Sequence, residues 1–215
     1  MKLYSQDLSP FSAPVRLAIY AKGLDIPIEA PPGGPSSEAY TKVSLTGLVP
    51  CLILDDGTPL PESMVILDYL EDRFPTPPLR PAGAEARARE ALIRRFAEVE
   101  LLVAQVELFH KLGSGDAAAA AAVALAHFER GIGLIEALMA DDGYVTGPQF
   151  TTADCILAPA ILGVGAVAPL AGRPTLLADH PRFAAYAARV AAHPAVAKVT
   201  AEMMAALAAS GIKLG

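Results

Sequence analysis

The sequence predicts a chain of two unlike parts, a small mixed α/β unit followed by an all-helical bundle. Short β-type runs alternate with amphipathic helical runs only as far as Pro75. Pro75, Pro77, Pro78 and Pro81 then stiffen the chain, and nothing after them reads as strand. With 215 residues, 53% hydrophobic and 19% charged, the chain has apolar surface for one large core or two small ones.

Leu3-Tyr4-Ser5 reads as a short strand. Val15, Leu17, Ala18, Ile19 and Ala21 suit a helix from Ser12, with Gly23 just past its end. Ile26-Pro27-Ile28 reads as an edge strand, where proline is tolerated. The run Pro31-Pro32-Gly33-Gly34-Pro35 is a loop, and Glu38 to Ser44 a short helix or turn. Pro50 to Leu54 and Thr58 to Leu60 are strands joined at the hairpin signal Asp55-Asp56-Gly57. From Ser63 to Phe74, Ile66, Leu67, Leu70 and Phe74 share one helical face. The order is β-α-β-α-β-β-α.

Helices are expected over Ala84–Leu112, Ala117–Ala140, Thr152–Ala168, Pro181–Ala192 and Pro194–Ala209. The alanine run at 117–122 is read as helix, because alanine is the best helix former. Thr151 and Asp154 have capping-box spacing at the start of a core helix. The division expected is a domain over 1–75, a linker over 76–83 and a helical domain over 84–215.

A net charge of −6 and the lack of a basic cluster argue against nucleic-acid binding. Cys51 and Cys155 stand far apart and make no disulfide framework. Met1-Lys2 runs straight into a strand, so no leader is read. The uncharged run Ile156–Leu170 contains two prolines and is shorter than the roughly 20 residues of a membrane span. It is read as a core helix and the protein as cytoplasmic, without a membrane partner. The histidines have no ligand spacing with each other or with the cysteines, so no metal is expected. Nucleotide loops and a nucleophile elbow are absent.

Three short segments carry the chemistry. In Ser9-Pro10-Phe11-Ser12, a serine hydroxyl at a strand-to-helix turn either points at a bound thiol or caps the helix. A free thiol has a pKa of about 8.5, so only about a tenth is ionised near neutral pH. A hydroxyl donor and a helix N-terminus both favour the thiolate. Val49-Pro50 either starts a strand or holds an extended backbone that pairs with a bound peptide. Glu62-Ser63 either caps a helix or grips both ends of an α-amino acid, with the helix N-terminus taking a carboxylate and Glu62 an ammonium. Near the end of the long helix, His110, which follows Phe109, either faces a substrate pocket or is a core or surface residue.

Together with Val15-Arg16, Ile66, Tyr69-Leu70 and Phe150-Thr151-Thr152-Ala153-Asp154, these segments resemble the cytosolic glutathione S-transferases, of serine type, over nearly the whole chain. The resemblance implies a thioredoxin-like N-terminal domain, an all-α C-terminal domain, glutathione as cofactor and a homodimer. It makes Ser9 the thiol-activating residue, Val49 with a cis Pro50 the partner of the cysteinyl backbone, and Glu62 and Ser63 the binders of the γ-glutamyl end. Phe11, Ser12, Phe109 and His110 are the expected pocket for an apolar second substrate. The lysine that often precedes Val-Pro in the family is missing, and Lys42 stands as its substitute for the glycine carboxylate. The expected reaction is thiol transfer to an apolar electrophile. Isomerisation of a small cis-enoic diacid and non-catalytic binding are the alternatives.

Overall fold

The computed structural model describes residues 1–111 and 115–211. The first part is a four-stranded mixed sheet of order β2-β1-β3-β4, with β1 Lys2–Tyr4, β2 Ile28–Glu29, β3 Cys51–Ile53 and β4 Pro59–Pro61. Strand β2 runs parallel to β1, while β3 and β4 are antiparallel to their neighbours. Its helices are α1 Ser12–Lys22, α2 Glu38–Thr41 and α3 Ser63–Arg73. This is a thioredoxin-like domain. The second part is helical, with α4 Ala84–Phe96, a π-helical segment Ala97–Leu102, α5 Val103–Lys111, α6 Ala117–Glu136, α7 Thr152–Val167, α8 Pro181–Ala191 and α9 Pro194–Ser210.

The period of two along each strand sorts the sheet's side chains into two cores. Leu3 and Leu52 join the large core with Leu17, Ile66 and Leu70, under α1 and α3. Tyr4 and Cys51 point the other way and pack with Tyr40 of α2. Helix α1 turns its remaining surface to α7 and α9, so one helix is shared by both parts of the chain. Gly23 ends α1 at φ 63°, with its N–H on the Ile19 and Tyr20 carbonyls. That left-handed conformation suits glycine.

Three expected elements differ in their bounds. Pro27 has no N–H for a ladder, although its carbonyl accepts from Leu3 N at 2.8 Å, so β2 begins at Ile28 instead of Ile26. The single helix expected from Ala84 is broken by the π segment, and its expected end, Leu112, lies outside the described residues. A π turn holds one extra residue, so a 3.6-residue period carried straight through it misplaces every later position. The turn presents buried Glu100 to α6, where His127 Nδ1 lies 2.8 Å from it and Arg130 Nε 3.6 Å. Gly131 makes that approach possible, since a Cβ there would sit 2.6 Å from Glu100 Cβ. Helix α6 stops at Glu136, short of Ala140, where Arg182 binds the Glu136 and Met139 carbonyls at 2.9 and 3.3 Å.

Helix α6 is long and apolar enough to cross a membrane by length and composition. Much of its apolar character is alanine, and it carries His127, Glu129 and Arg130. Its buried stripe of Ala124, Phe128, Ile132 and Ile135 belongs to the core, which is the pattern of a packed helix.

Asp154, fully buried at the start of α7, ties three elements together. Its carboxylate accepts from Thr151 N at 2.8 Å, Thr151 Oγ1 at 2.9 Å, Val145 N at 2.9 Å and Tyr186 Oη at 2.8 Å. Burial pushes its pKa up, and the four donors oppose that shift. Each buried donor left without a partner costs about 1–3 kcal/mol. Asp154→Ala should therefore lose about 3 kcal/mol or more in urea unfolding, and a loss under about 1 kcal/mol would contradict this account.

Candidate functional site

The strand register brings the three chemical segments together. Tyr4 pairs with Cys51, and Cys51 with Pro61, so one row of residues crosses β1, β3 and β4. The chain leaves β1 from this row toward Ser9, enters β3 into it through Val49-Pro50, and leaves β4 from it at Glu62-Ser63. Both α1 and α3 begin at the same end of the sheet. Both helices direct the positive ends of their dipoles there, and α3 adds first-turn N–H groups without intrahelical partners, whereas those of Ser12 and Ala13 in α1 are taken by Ser9 and Pro14 has none. This end therefore favours an anion within a protein of net charge −6.

Ser9 is half-buried at the head of α1. Its Oγ accepts from Ser12 N at 3.1 Å, and its carbonyl accepts from Ser12 N and Ala13 N at 3.1 Å each. Ser9 thus caps the helix as an acceptor, which leaves its hydroxyl proton free to donate. Capping and thiol activation are compatible on the same oxygen. Ser12 is fully buried, with no partner on Oγ among the described residues. Phe11 lies between them, half-buried against the core.

The Val49–Pro50 peptide bond is cis, with Pro50 buried and Val49 half-buried. Tyr40 Oη donates to Leu48 O at 2.9 Å, which holds this segment from behind. Burial pushes the Cys51 thiol up, so this neighbour of Pro50 is a packing residue of the second core.

Glu62 has φ 71° and ψ 114°, a left-handed backbone on a non-glycine residue, and its side chain is exposed. Such strain costs about 1–3 kcal/mol and clusters at functional sites. Ser63 is buried beside it as the first residue of α3.

Lys42, at the C-cap of α2, holds its ammonium 2.8 Å from Glu38 on the helix surface. His110 and Phe109 are exposed, with ring centroids 6.4 Å apart. His110 lines a groove of about 510 Å³ between α5 and α6, together with Ala104, Glu107, Ala120 and Val123. None of the sheet-end residues lines that groove. The structure therefore gathers Ser9, Phe11, Ser12, Val49, Pro50, Glu62 and Ser63, and leaves Lys42 and His110 with other surroundings.

Sequence reasoning used Arg16 only as part of the resemblance and gave it no role, although it is 1% exposed within α1 and bonded to Asp7 and Glu202. An arginine within an otherwise apolar helical run was the available signal. The left-handed Glu62 had no signal, because glutamate is not a residue that favours that region.

Residues 3–78 match the glutathione S-transferase N-terminal domain and residues 84–189 the glutathione S-transferase C-terminal domain. The chain is 29% identical over 205 residues to the maleylacetoacetate isomerase of Pseudomonas aeruginosa, covering 91% of this chain and 93% of that protein. The holo structure of maleylpyruvate isomerase, a bacterial zeta-class glutathione S-transferase, superimposes with a TM-score of 0.77 at 26% identity, covering 93% and 96%. A glutathione S-transferase of Methylobacterium radiotolerans in complex with glutathione sulfonate gives a TM-score of 0.77 at 25% identity, covering 92% and 93%. A thioredoxin-like domain joined to an all-helical domain is the arrangement of the glutathione S-transferase fold. The chain belongs to the glutathione S-transferase family. It is an enzyme of that family, with glutathione as its cofactor.

The Glu62 geometry separates stability from binding. Glycine adopts this backbone without strain. Glu62→Gly should raise the melting temperature while weakening glutathione binding about tenfold or more, the loss expected for one hydrogen bond to a charged group. Calorimetric titration beside a melting curve checks both, and tight binding by the glycine variant would remove Glu62 from the site.

Proposed function

We propose that the protein is a serine-type glutathione transferase that adds the glutathione thiolate to an apolar electrophile. The observation that carries this reading is the Ser9 hydroxyl at the head of α1, which accepts from Ser12 N and has no acceptor of its own among the described residues, in a segment that leaves the same sheet row as Val49-Pro50 and Glu62-Ser63. In this reading Val49 pairs through its backbone with the cysteinyl residue of glutathione. The γ-glutamyl carboxylate lies on the N-terminus of α3, with Ser63, and its ammonium on Glu62. The glutathione thiol then sits over α1, where the Ser9 hydroxyl donates to sulfur and the dipole of α1 holds the negative charge. The thiol proton passes to solvent, the sulfur attacks the electrophilic carbon, and a C–S bond forms as the electrophile's π bond opens and the electron pair it releases takes a proton from solvent. Ser9 is a donor and never the nucleophile. Phe11, half-buried at the head of α1, is the side chain placed to meet a second substrate, while Ser12 is fully buried and Phe109 and His110 lie exposed on α5, where His110 lines a separate groove. Lys42 reaches the glycine carboxylate only by leaving Glu38.

A second reading, isomerisation of a small cis-enoic diacid, is favoured by the near full-length similarity to the Pseudomonas aeruginosa isomerase. A diacid calls for free cations, yet Arg16 is held by two carboxylates and Lys42 by one. That balance favours transfer. Side-by-side assays of conjugation and diacid isomerisation decide between them. Ser9→Ala should lower turnover near neutral pH about ten- to a hundredfold, as expected for a lost hydrogen bond to a charged group, with glutathione affinity little changed. The pH profile should move to higher pH, because the bound thiol ionises less readily. Loss of activity in Ser12→Ala, with an unmoved profile in Ser9→Ala, would reassign the role to Ser12.

The working protein is read as a cytoplasmic homodimer, divided at residues 76–83. Its two free, buried cysteines suit a reducing compartment. Exposed Val65 of α3 and Leu92 of α4 flank the Asp68–Arg94 ion pair, and Arg87, Arg89 and Arg95 alternate with Glu85 and Glu98 along α4 and just beyond it. Exposed apolar side chains interspersed with both charge signs on α3 and α4 fit a second copy of the same surface. Light scattering at micromolar concentration should give twice the mass of 22.3 kDa, and a monomer mass would refute the pairing.

A further inference from the structure

We propose that Arg16, Asp7 and Glu202 form a positioning latch through which helix α9 sets the loop that carries Ser9. This rests on reading Ser9 as the thiol donor. Arg16 lies in the second turn of α1 and is 1% exposed. Its Nη1 donates to Asp7 Oδ1 at 2.6 Å and to Glu202 Oε2 at 2.8 Å. Its Nη2 donates to the backbone carbonyl of Asp7 at 2.7 Å. That last bond matters most, because it fixes the main chain itself, two residues before Ser9. Ser9 N then donates to Gln6 O at 3.0 Å, so the turn closes on the residue next to the anchored carbonyl.

The far side of the latch is built as carefully. The second oxygen of Glu202 accepts from Tyr20 Oη at 2.9 Å. Burial, with the hydrogen bond to Glu202 next, pushes the Tyr20 pKa up to about 12, so the phenol stays a donor throughout the neutral range. Lys198, one turn before Glu202, places its ammonium 3.6 Å from the centre of the Tyr20 ring. Two residues of α1 and two of α9 are therefore locked face to face. A groove of about 470 Å³ has loop residues Ser5 to Leu8 on one side and Ala206, one turn beyond Glu202, on the other. Movement of α9 thus reaches the Ser9 loop through one guanidinium.

A buried ion pair is weak evidence for stability by itself. The distinguishing feature is its target. A latch that only held the domains together would have no need of the Asp7 carbonyl. A displacement of about 1 Å at a catalytic donor can cost up to a hundredfold in rate, so a bond at this carbonyl bears on turnover.

The test compares Glu202→Gln, Arg16→Lys and Arg16→Met with Ser9→Ala. The readouts are the ultraviolet absorbance of bound glutathione thiolate against pH, kcat and KM for conjugation, and melting temperature. Glu202→Gln and Arg16→Lys should raise the bound thiol pKa by about half a unit, a threefold change in the thiolate ratio, and lower kcat near pH 6.5 by a similar factor. KM for glutathione should stay within about twofold, because the lost interaction acts on thiolate formation and not on binding. Arg16→Met should do more than Arg16→Lys, which keeps a charge at the site. In a Ser9→Ala background Glu202→Gln should add nothing, since the latch acts through Ser9.

Variants that lose melting temperature but keep wild-type thiol pKa and kcat would make the cluster a structural ion pair and overturn the proposal. If the Arg16 variants do not fold, Glu202→Gln decides alone, since it is near-isosteric and leaves Arg16 paired with Asp7. A Ser9→Ala profile that stays put sinks the Ser9 reading. A moved Ser9→Ala profile with unmoved latch variants sinks only the latch.

Discussion

The constraint on which the site depends is the register of three strands. With Tyr4, Cys51 and Pro61 in one row, three segments far apart in sequence end at one edge of the sheet. A one-residue slip of β3 would turn Cys51 out of the second core and Leu52 out of the first. Both cores therefore oppose the slip, and the same packing that folds the domain places Val49-Pro50 between Ser9 and Glu62. Fold and site are specified by one set of contacts.

The electrostatics come from the same topology. In the proposed reading an acidic protein gains a place for an anionic tripeptide because α1 and α3 both start at this end of the sheet and direct the positive ends of their dipoles to it. The two cations considered for the site are held by carboxylates: Arg16 by Asp7 and Glu202, and Lys42, away on the surface of α2, by Glu38. In this account the positive character needed to hold a thiolate comes from backbone dipoles, and the hydroxyl of Ser9 adds direction. The buried arginine supplies geometry instead of free charge. Lys22 plays a comparable structural role at the other end of α1. It is paired with Glu71 and donates at 2.7 Å to both the Phe74 and Pro77 carbonyls, which anchors the proline-rich connection.

Much of this was legible in the sequence, for reasons that differ by element. The helices α7, α8 and α9 were readable because their starts carry a capping box or a proline in the first turn. The helix α1 was readable from its apolar spacing and Gly23. Ser9 and Glu62-Ser63 were readable as polar residues at helix starts, and Val49-Pro50 as a proline at the start of a strand. The π segment was not, because an extra residue in a turn leaves no mark on a periodicity that continues on both sides. Nor was the Arg16–Glu202 contact, since nothing local to residue 16 points to a partner 186 residues away. The whereabouts of His110 and Lys42 depended on how helices pack, which a motif does not encode.

The central claim is that glutathione lies along the sheet edge defined by the Tyr4–Cys51–Pro61 row. A crystal structure with glutathione soaked in tests this most directly. The account predicts the cysteinyl backbone paired with Val49, the γ-glutamyl end on the first turn of α3, and the sulfur within hydrogen-bonding distance of Ser9 Oγ. Glutathione bound in the groove between α5 and α6, or with its sulfur remote from the head of α1, would contradict it.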